Sequence, residues 1–411
     1  MALEMRVLQA DEWDVWYEQL ELAFGGVPDS PQERELYKPL TETERSLGVW
    51  DRGTCVGSAS AFSFRLSVPG GAIVPAAGVT MVGVSPTHRR RGVLRSLMRR
   101  QLDDVRAAGE PLAVLTASDP AIYGRFGYGT ATYALAVDID TTRVRLSVPP
   151  GTDDVRLRLV DPEQALADCE RVYAALVPGR PGMPARQPGW ERLTLLDPPA
   201  LRAGASPLKC VVAEREDGEV VGYARYRVKA DWDLSGSEGT VEVNDLDALD
   251  PAVSAALWRY LFGIDLTWTV RASRRPADDP VLHLVSDVRR SRARVRDSLY
   301  VRLVDLPAAL AARTYGAPLD VVVEVEDAFC PWNEGRWRLV ADAKGGARCT
   351  RTEEPAELAL SVRELGSAYL GGITLTSLAA AGRVRELRPG ALSEASRAFA
   401  WDVAPWLPHG F

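Results

Sequence analysis

With 411 residues, 46% of them hydrophobic and 26% charged, the chain is too long for one ordinary core and too apolar for large-scale disorder. Roughly 150 residues per domain gives two or three domains. A formal net charge of -7 provides no broad basic field for a phosphate backbone, which argues against a nucleic-acid partner; an acidic cleft would instead concentrate amines.

The five cysteines, at positions 55, 169, 210, 330 and 349, form neither a disulfide framework nor a CxxC knuckle. Three histidines, His88, His283 and His409, leave little material for a metal site, so no metal is expected. A cationic leader and an apolar run near 18 residues are both missing, so a reduced cytoplasmic protein without a transmembrane segment is expected.

In chain order, Glu12 to Phe24 has helical spacing, with Trp13, Trp16, Leu20 and Phe24 as its apolar stripe. Leu47 to Phe64 reads as two strands about the Asp51-Arg52-Gly53 turn, and Ala77 to Val84 as a strand of small and β-branched residues. A helix is predicted from Gly92 to Ala108, buried through Leu94, Leu97, Met98, Leu102 and Val105 and stopped at Gly109. Leu112 to Thr116 reads as a central strand, and Tyr133 to Ile139 as the strand closing the unit.

Pro149-Pro150-Gly151 marks a boundary, giving a first domain at 1–150. The second, 151–293, repeats the order of elements, with a hairpin at Cys210 to Val228, a strand at Val241 to Leu246 and a helix from Pro251, but has no arginine–glycine turn. The third, 294–411, is α+β material with strands at Tyr300 to Leu303 and Leu319 to Val325 and apolar helical stretches at Leu375 to Ala381 and Ala391 to Phe399.

The informative string runs from Val82 to Leu94: Val-Gly-Val-Ser-Pro-Thr-His-Arg-Arg-Arg-Gly-Val-Leu. A phosphate-rich ligand needs converging amide hydrogens, which the first turn of a helix supplies together with a favourable dipole. Gly92 permits close approach, and Arg89, Arg90 and Arg91 add charge-assisted bonds. Arginines alone would mark only a solvated helix start; their place between an apolar strand and an amphipathic helix favours a binding loop. It is not a Walker loop, since the lysine and hydroxyl of that motif are absent.

The string resembles the acetyl-CoA motif of GCN5-related N-acetyltransferases, in which arginine or glutamine is followed by two variable residues, glycine, one variable residue and a small residue. Counted from Arg89, the glycine is Gly92, but the small position holds Leu94. The resemblance implies that backbone groups of Val82 and Val84 pair with the pantetheine arm, that Arg90, Arg91, Gly92 and the following Val93 hold the pyrophosphate, and that Ser118 contacts the donor. The whole chain is most similar to the Eis family within that group, through Val82 to Arg95, Ile122-Tyr123-Gly124-Arg125-Phe126-Gly127-Tyr128-Gly129 and Ser367 to Gly372. It implies an N-terminal acetyltransferase domain, a degenerate second one and a C-terminal domain resembling sterol carrier proteins. Acetyl-CoA as donor, small-molecule or protein amines as acceptors (aminoglycosides among them) and a homohexamer are further implications.

Acetyl transfer from a thioester to an amine requires a neutral nucleophile, a stabilised carbonyl oxygen and a proton for the departing sulfur. Tyr123, just past the Leu112 to Thr116 strand, is the best acid from position, with Tyr128 its competitor; packing is the commoner role for both. The resemblance assigns the acid to Tyr123 and the base to the terminal carboxylate of Phe411, although His409-Gly410 departs from the family's acidic ending. Phe24, Tyr37, Asp29, Glu33 and Glu35 are candidates for the acceptor side, as are ordinary surface roles for the same residues. The rival reading is a non-catalytic lipid-binding or scaffolding protein.

Overall fold

A computed structural model describes residues 3–234 and 236–411. They divide into two compact units: Met1–Thr132 with Ser298–Asp402 and Gly410–Phe411, and Tyr133–Asp297 with Val403–His409.

The first unit opens with β1 (Glu4–Val7), α1 (Trp13–Ala23) and α2 (Pro31–Leu40). Trp13, Trp16 and Tyr17 of α1 are buried. Helix α2, not legible from periodicity, is set by a capping box in which Ser30 and Glu33 satisfy each other's backbone amides, with Pro31 in its first turn. Strands β2 (Leu47–Asp51), β3 (Thr54–Ser67) and β4 (Ile73–Val84) form an antiparallel meander. Helix α3 (Val93–Ala107), β5 (Leu112–Thr116), the short α4 (Pro120–Tyr123) and β6 (Gly129–Thr130) follow. On α3 the buried face is Val93, Leu97, Met98, Gln101, Leu102 and Val105, so Val93 takes the core position expected of Leu94.

The second unit is built on a seven-stranded sheet, ordered β15-β7-β14-β13-β10-β9-β8. Its elements are β7 (Tyr133–Asp140), β8 (Arg156–Val160), α5 (Leu166–Leu176), β9 (Lys209–Glu214), β10 (Val220–Lys229), the small hairpin β11 (Trp232–Asp233) and β12 (Gly236–Ser237), β13 (Gly239–Ala248), α6 (Pro251–Phe262), β14 (Thr267–Pro276), α7 (Val281–Leu284) and β15 (Arg294–Asp297). Strand β7, expected to close the first sheet, belongs here: Leu135, Val137 and Ile139 join the core under α6. The tail crosses this unit in a fixed register. Arg180 donates to the Ala404 carbonyl at 2.7 Å, Ala404 donates to Asp278 at 3.0 Å, and the Trp406 amide donates to the Pro181 carbonyl at 2.8 Å.

After β15 the chain returns to the first unit. Strand β16 (Leu299–Leu303), expected to belong to the C-terminal domain, lies between β5 and β6 in the first seven-stranded sheet, ordered β1-β2-β3-β4-β5-β16-β6. Its run Leu-Tyr-Val-Arg-Leu is buried throughout, as a central strand must be. Then come α8 (Leu306–Ala312), β17 (Leu319–Glu326), β18 (Gly335–Ala341), β19 (Ala347–Arg351), β20 (Leu358–Ser361), α9 (Val362–Ala368), α10 (Leu375–Ala380), β21 (Val384–Glu386) and α11 (Ala391–Phe399). The strands form a five-stranded sheet, β19-β18-β17-β20-β21. Arg313, fully buried, knits the end of α9 to the end of α11: it donates to the Tyr369 carbonyl at 2.5 Å and the Phe399 carbonyl at 2.8 Å, where exposed helix carbonyls concentrate negative charge.

Candidate active site

Strands β4 and β5 run parallel but are paired only from Ala76–Leu112 to Gly78–Val114, while β4 continues to Val84 and β5 to Thr116. A bulge accompanies this parting. Ser58 faces Gly83 and Ser60 faces Thr80, so Ala59 opposes both Met81 and Val82, and Met81 takes a left-handed φ of 52°. The extra residue turns the end of β4 away from β5.

A cleft of about 640 Å³ opens at this fork. Of the donor residues expected from sequence, Val82, Val84, Arg89, Arg90, Gly92, Val93 and Ser118 line it together with Tyr123. Arg91 does not; it is exposed, and it adds to the His88 hydrogen bond that chiefly holds the Asp51 carboxyl below its usual range. Gly92 sits in the N-cap position of α3 with φ 83°, and a Cβ there would meet nothing within 4 Å, so its necessity is conformational rather than steric within the chain. No side chain caps α3, and its first turn holds no acid, so the helix start presents amides and positive potential. These features fit a diphosphate-bearing donor.

Three features of the cleft go beyond the site residues named from the sequence. The Met81 bulge has no turn residue to announce it. Leu94 and Arg95 of α3 also line the cleft. His88, whose side chain is largely buried, contacts Asp51 at 3.1 Å and Thr87 at 2.8 Å through its two ring nitrogens, tying the loop before α3 to the end of β2.

Tyr123 ends α4, which starts where Asp119, not Ser118, accepts a bond from the Ala121 amide at 3.0 Å. Its ring is buried, and burial followed by the charge of Asp119 pushes the phenol up to about 12. Its hydroxyl has no hydrogen-bond partner among the described residues. Tyr128 stands edge-on at 6.0 Å, fully buried, with its phenol pushed far up by desolvation, and does not line the cleft.

Phe411 is not among the lining residues. Its ring meets Phe64 of β3 edge-on at 4.8 Å, and Phe64 in turn covers Gly78, where a Cβ would strike its ring. The last residue therefore packs beside the fork from which the cleft opens.

Of the residues considered for acceptor recognition, Phe24 lines the cleft with 59% of its surface exposed. Asp29 accepts from the Tyr17 hydroxyl at 2.6 Å and Glu33 serves the α2 cap, so both have local structural roles. Tyr37 packs against the cluster around Trp13 and Trp16.

Comparison with known proteins identifies the domains. Residues 4–131 match an acetyltransferase (GNAT) domain family, 182–303 a second acetyltransferase (GNAT) family and 306–408 a sterol carrier protein domain family. An uncharacterized N-acetyltransferase of Streptomyces avermitilis is 68% identical over the full length of both chains. N-acetyltransferase Eis of Mycobacterium tuberculosis is 35% identical, covering 95% of this chain and 96% of its own. The crystal structure of Eis1 from Mycobacterium abscessus superposes with a TM-score of 0.83 at 34% identity over all of both chains. With an acetyltransferase domain, a second acetyltransferase-like domain and a C-terminal sterol-carrier-like domain in that order, the chain belongs to the Eis family of GCN5-related N-acetyltransferases, enzymes that take the acetyl group from acetyl-CoA.

Proposed function

We propose that this enzyme acetylates amino groups of multi-amine acceptors, aminoglycosides among them, with Tyr123 as general acid and the Phe411 carboxylate as base. The carrying observation is Tyr123: a buried phenol whose hydroxyl has no partner among the described residues, on the wall of the cleft that begins with the helix start of α3. With that phenol pushed up to about 12, it remains a proton donor at neutral pH.

In this reading the diphosphate of the donor rests on the amides of Gly92 and Val93 with Arg89 and Arg90 beside it, and the pantetheine arm runs along Val82 and Val84 to Ser118. The neutral amine attacks the thioester carbonyl. A C–N bond forms, the C–S bond breaks, the thiolate takes the Tyr123 proton, and the amine's surplus proton passes to the Phe411 carboxylate. Holding both reactants side by side supplies much of the acceleration, and no covalent enzyme intermediate is required.

Assembly as a homohexamer and a cytoplasmic location complete the proposal; among the described residues no helix is long and apolar enough to cross a membrane. The test is coenzyme A release with aminoglycosides, polyamines and peptides, alongside mass in solution. Donor binding without turnover on every amine class would favour a scaffolding role, and acetylation confined to a peptide N-terminus would remove the multi-amine acceptor.

A further inference from the structure

The string Tyr123 to Gly129 carries glycine at 124, 127 and 129, a spacing that donor binding does not explain. What lies against it does. A Cβ at Gly127 would stand 2.8 Å from the Arg302 guanidinium carbon and 2.9 Å from Val362, and Gly127 also has φ 85°. At Gly129 a Cβ would overlap the Arg363 carbonyl oxygen and the Ser367 amide of α9, backbone that cannot give way. Gly124 faces only the mobile end of the Arg363 side chain, at 2.9 Å. The acid-bearing segment is thus seated directly on β16 and α9.

The same region reaches the opposite wall. Phe329, in the loop between β17 and β18, is 5% exposed and meets Phe126 edge-on at 4.9 Å. Helix α3 reaches the same ring: the Arg99 guanidinium stands 4.2 Å from its centre and that of Arg95 5.7 Å. Arg95 and Phe126 both line the cleft, one from each wall. The loop carrying Phe329 is itself locked. Asp327, completely buried, accepts from Arg302 at 2.6 Å, from the Cys330 amide at 2.9 Å and from Asn333 at 3.1 Å; Trp332 donates to the Val304 carbonyl at 2.8 Å. Such a paired, hydrogen-bonded buried charge holds its loop in one position.

We propose that Phe329 is a positioning residue for acetyl transfer: wedged between α3 and Phe126, it holds the donor wall and the Tyr123 wall at their working separation. The C-terminal domain thereby contributes to turnover as a brace on the catalytic cleft. The inference rests on the reading of Tyr123 as the acid. Removing the ring leaves every lining residue of the cleft in the sequence but lets the walls relax toward each other. A misplacement of about 1 Å can cost about 100-fold in rate.

The test is a double-mutant cycle in the full-length protein, with Phe329→Ala, Tyr123→Phe and the pair, assayed well below each variant's unfolding temperature for kcat, KM for acetyl-CoA and coenzyme A affinity. Phe329→Ala should lower kcat about 10- to 100-fold, and the same change in the Tyr123→Phe background should cost almost nothing further, because the group it positions is already gone. Phe329→Tyr, which keeps the ring, should retain kcat. Losses that simply multiply would mark a structural role only and overturn the inference, as would wild-type kcat in Phe329→Ala beside an impaired Tyr123→Phe. Wild-type kcat in Tyr123→Phe would overturn the acid reading and this inference with it.

Discussion

Gly78 and Val114 are the last residues at which β4 and β5 are paired, and the cleft begins where that pairing ends. Two features keep it open. The Met81 bulge shifts the end of β4, and Phe64 occupies the space over Gly78 that a side chain there would need. The fork therefore leaves the last residues of β4 without a strand partner on the β5 side, in the position where an extended ligand arm can take the place of a strand.

The three arginines before α3 should not be equivalent. Arg89 and Arg90 line the cleft and Arg91 does not. Arg90→Ala should weaken coenzyme A binding by about 1.5–3 kcal/mol for each charge-assisted bond lost, whereas Arg91→Ala should have a smaller effect. Calorimetric titration with coenzyme A decides it; equal losses would put Arg91 on the ligand despite its outward position.

Gly92 should resist substitution for a reason of backbone shape. Its φ of 83° is strained for any residue with a Cβ, by about 1–2 kcal/mol, although the space beside it is open. Gly92→Ala should lower both thermal stability and donor affinity, and Gly92→Asn, which enters the left-handed region more readily, should be milder. Equal damage from the two would point instead to crowding of the bound donor.

Tyr123→Phe should reduce kcat by about 100- to 10,000-fold, the range for loss of a general acid, with coenzyme A affinity unchanged. The raised phenol sets the sign of the pH profile. Burial favours the protonated form up to about pH 12, so the proton-donor form persists through neutral and moderately basic pH. The wild-type kcat profile should consequently show no basic limb from this group near pH 10, the value for a solvated phenol. A limb there, absent from Tyr123→Phe, would mean that the segment opens to solvent during turnover.

Much of this site was legible in the sequence because its parts are local. A β-branched strand, an arginine–glycine turn and a helix spaced for burial occupy Val82 to Val105 without interruption, and the structure keeps them adjacent. What escaped depends on partners distant in the chain. Strand β16 is as apolar as any strand of the C-terminal sheet, and only its pairing with β5 and β6 settles its sheet. Phe329 carries no local mark that separates it from an ordinary core phenylalanine. The left-handed Met81 contradicts its residue type, so the bulge is imposed by the surrounding sheet rather than encoded at that position.

The last prediction concerns the Phe411 carboxylate. Chain ends ordinarily fray and contact water. This one is anchored: its ring packs edge-on against Phe64 at 4.8 Å. Trp406 and Leu407 are buried, and His409 lies face to face with Trp190 at 6.3 Å. Adding one glycine after Phe411 keeps the ring but moves the carboxylate outward by about 3.3–3.6 Å, the reach of one residue. Against the roughly 100-fold cost of a 1 Å misplacement, kcat should fall at least that far while folding, assembly and coenzyme A affinity persist. Deleting Phe411 would also abolish turnover but would remove the anchor with the charge, so it cannot separate the two. Wild-type turnover by the extended protein would reject the terminal carboxylate as base and leave proton removal to another group at the fork.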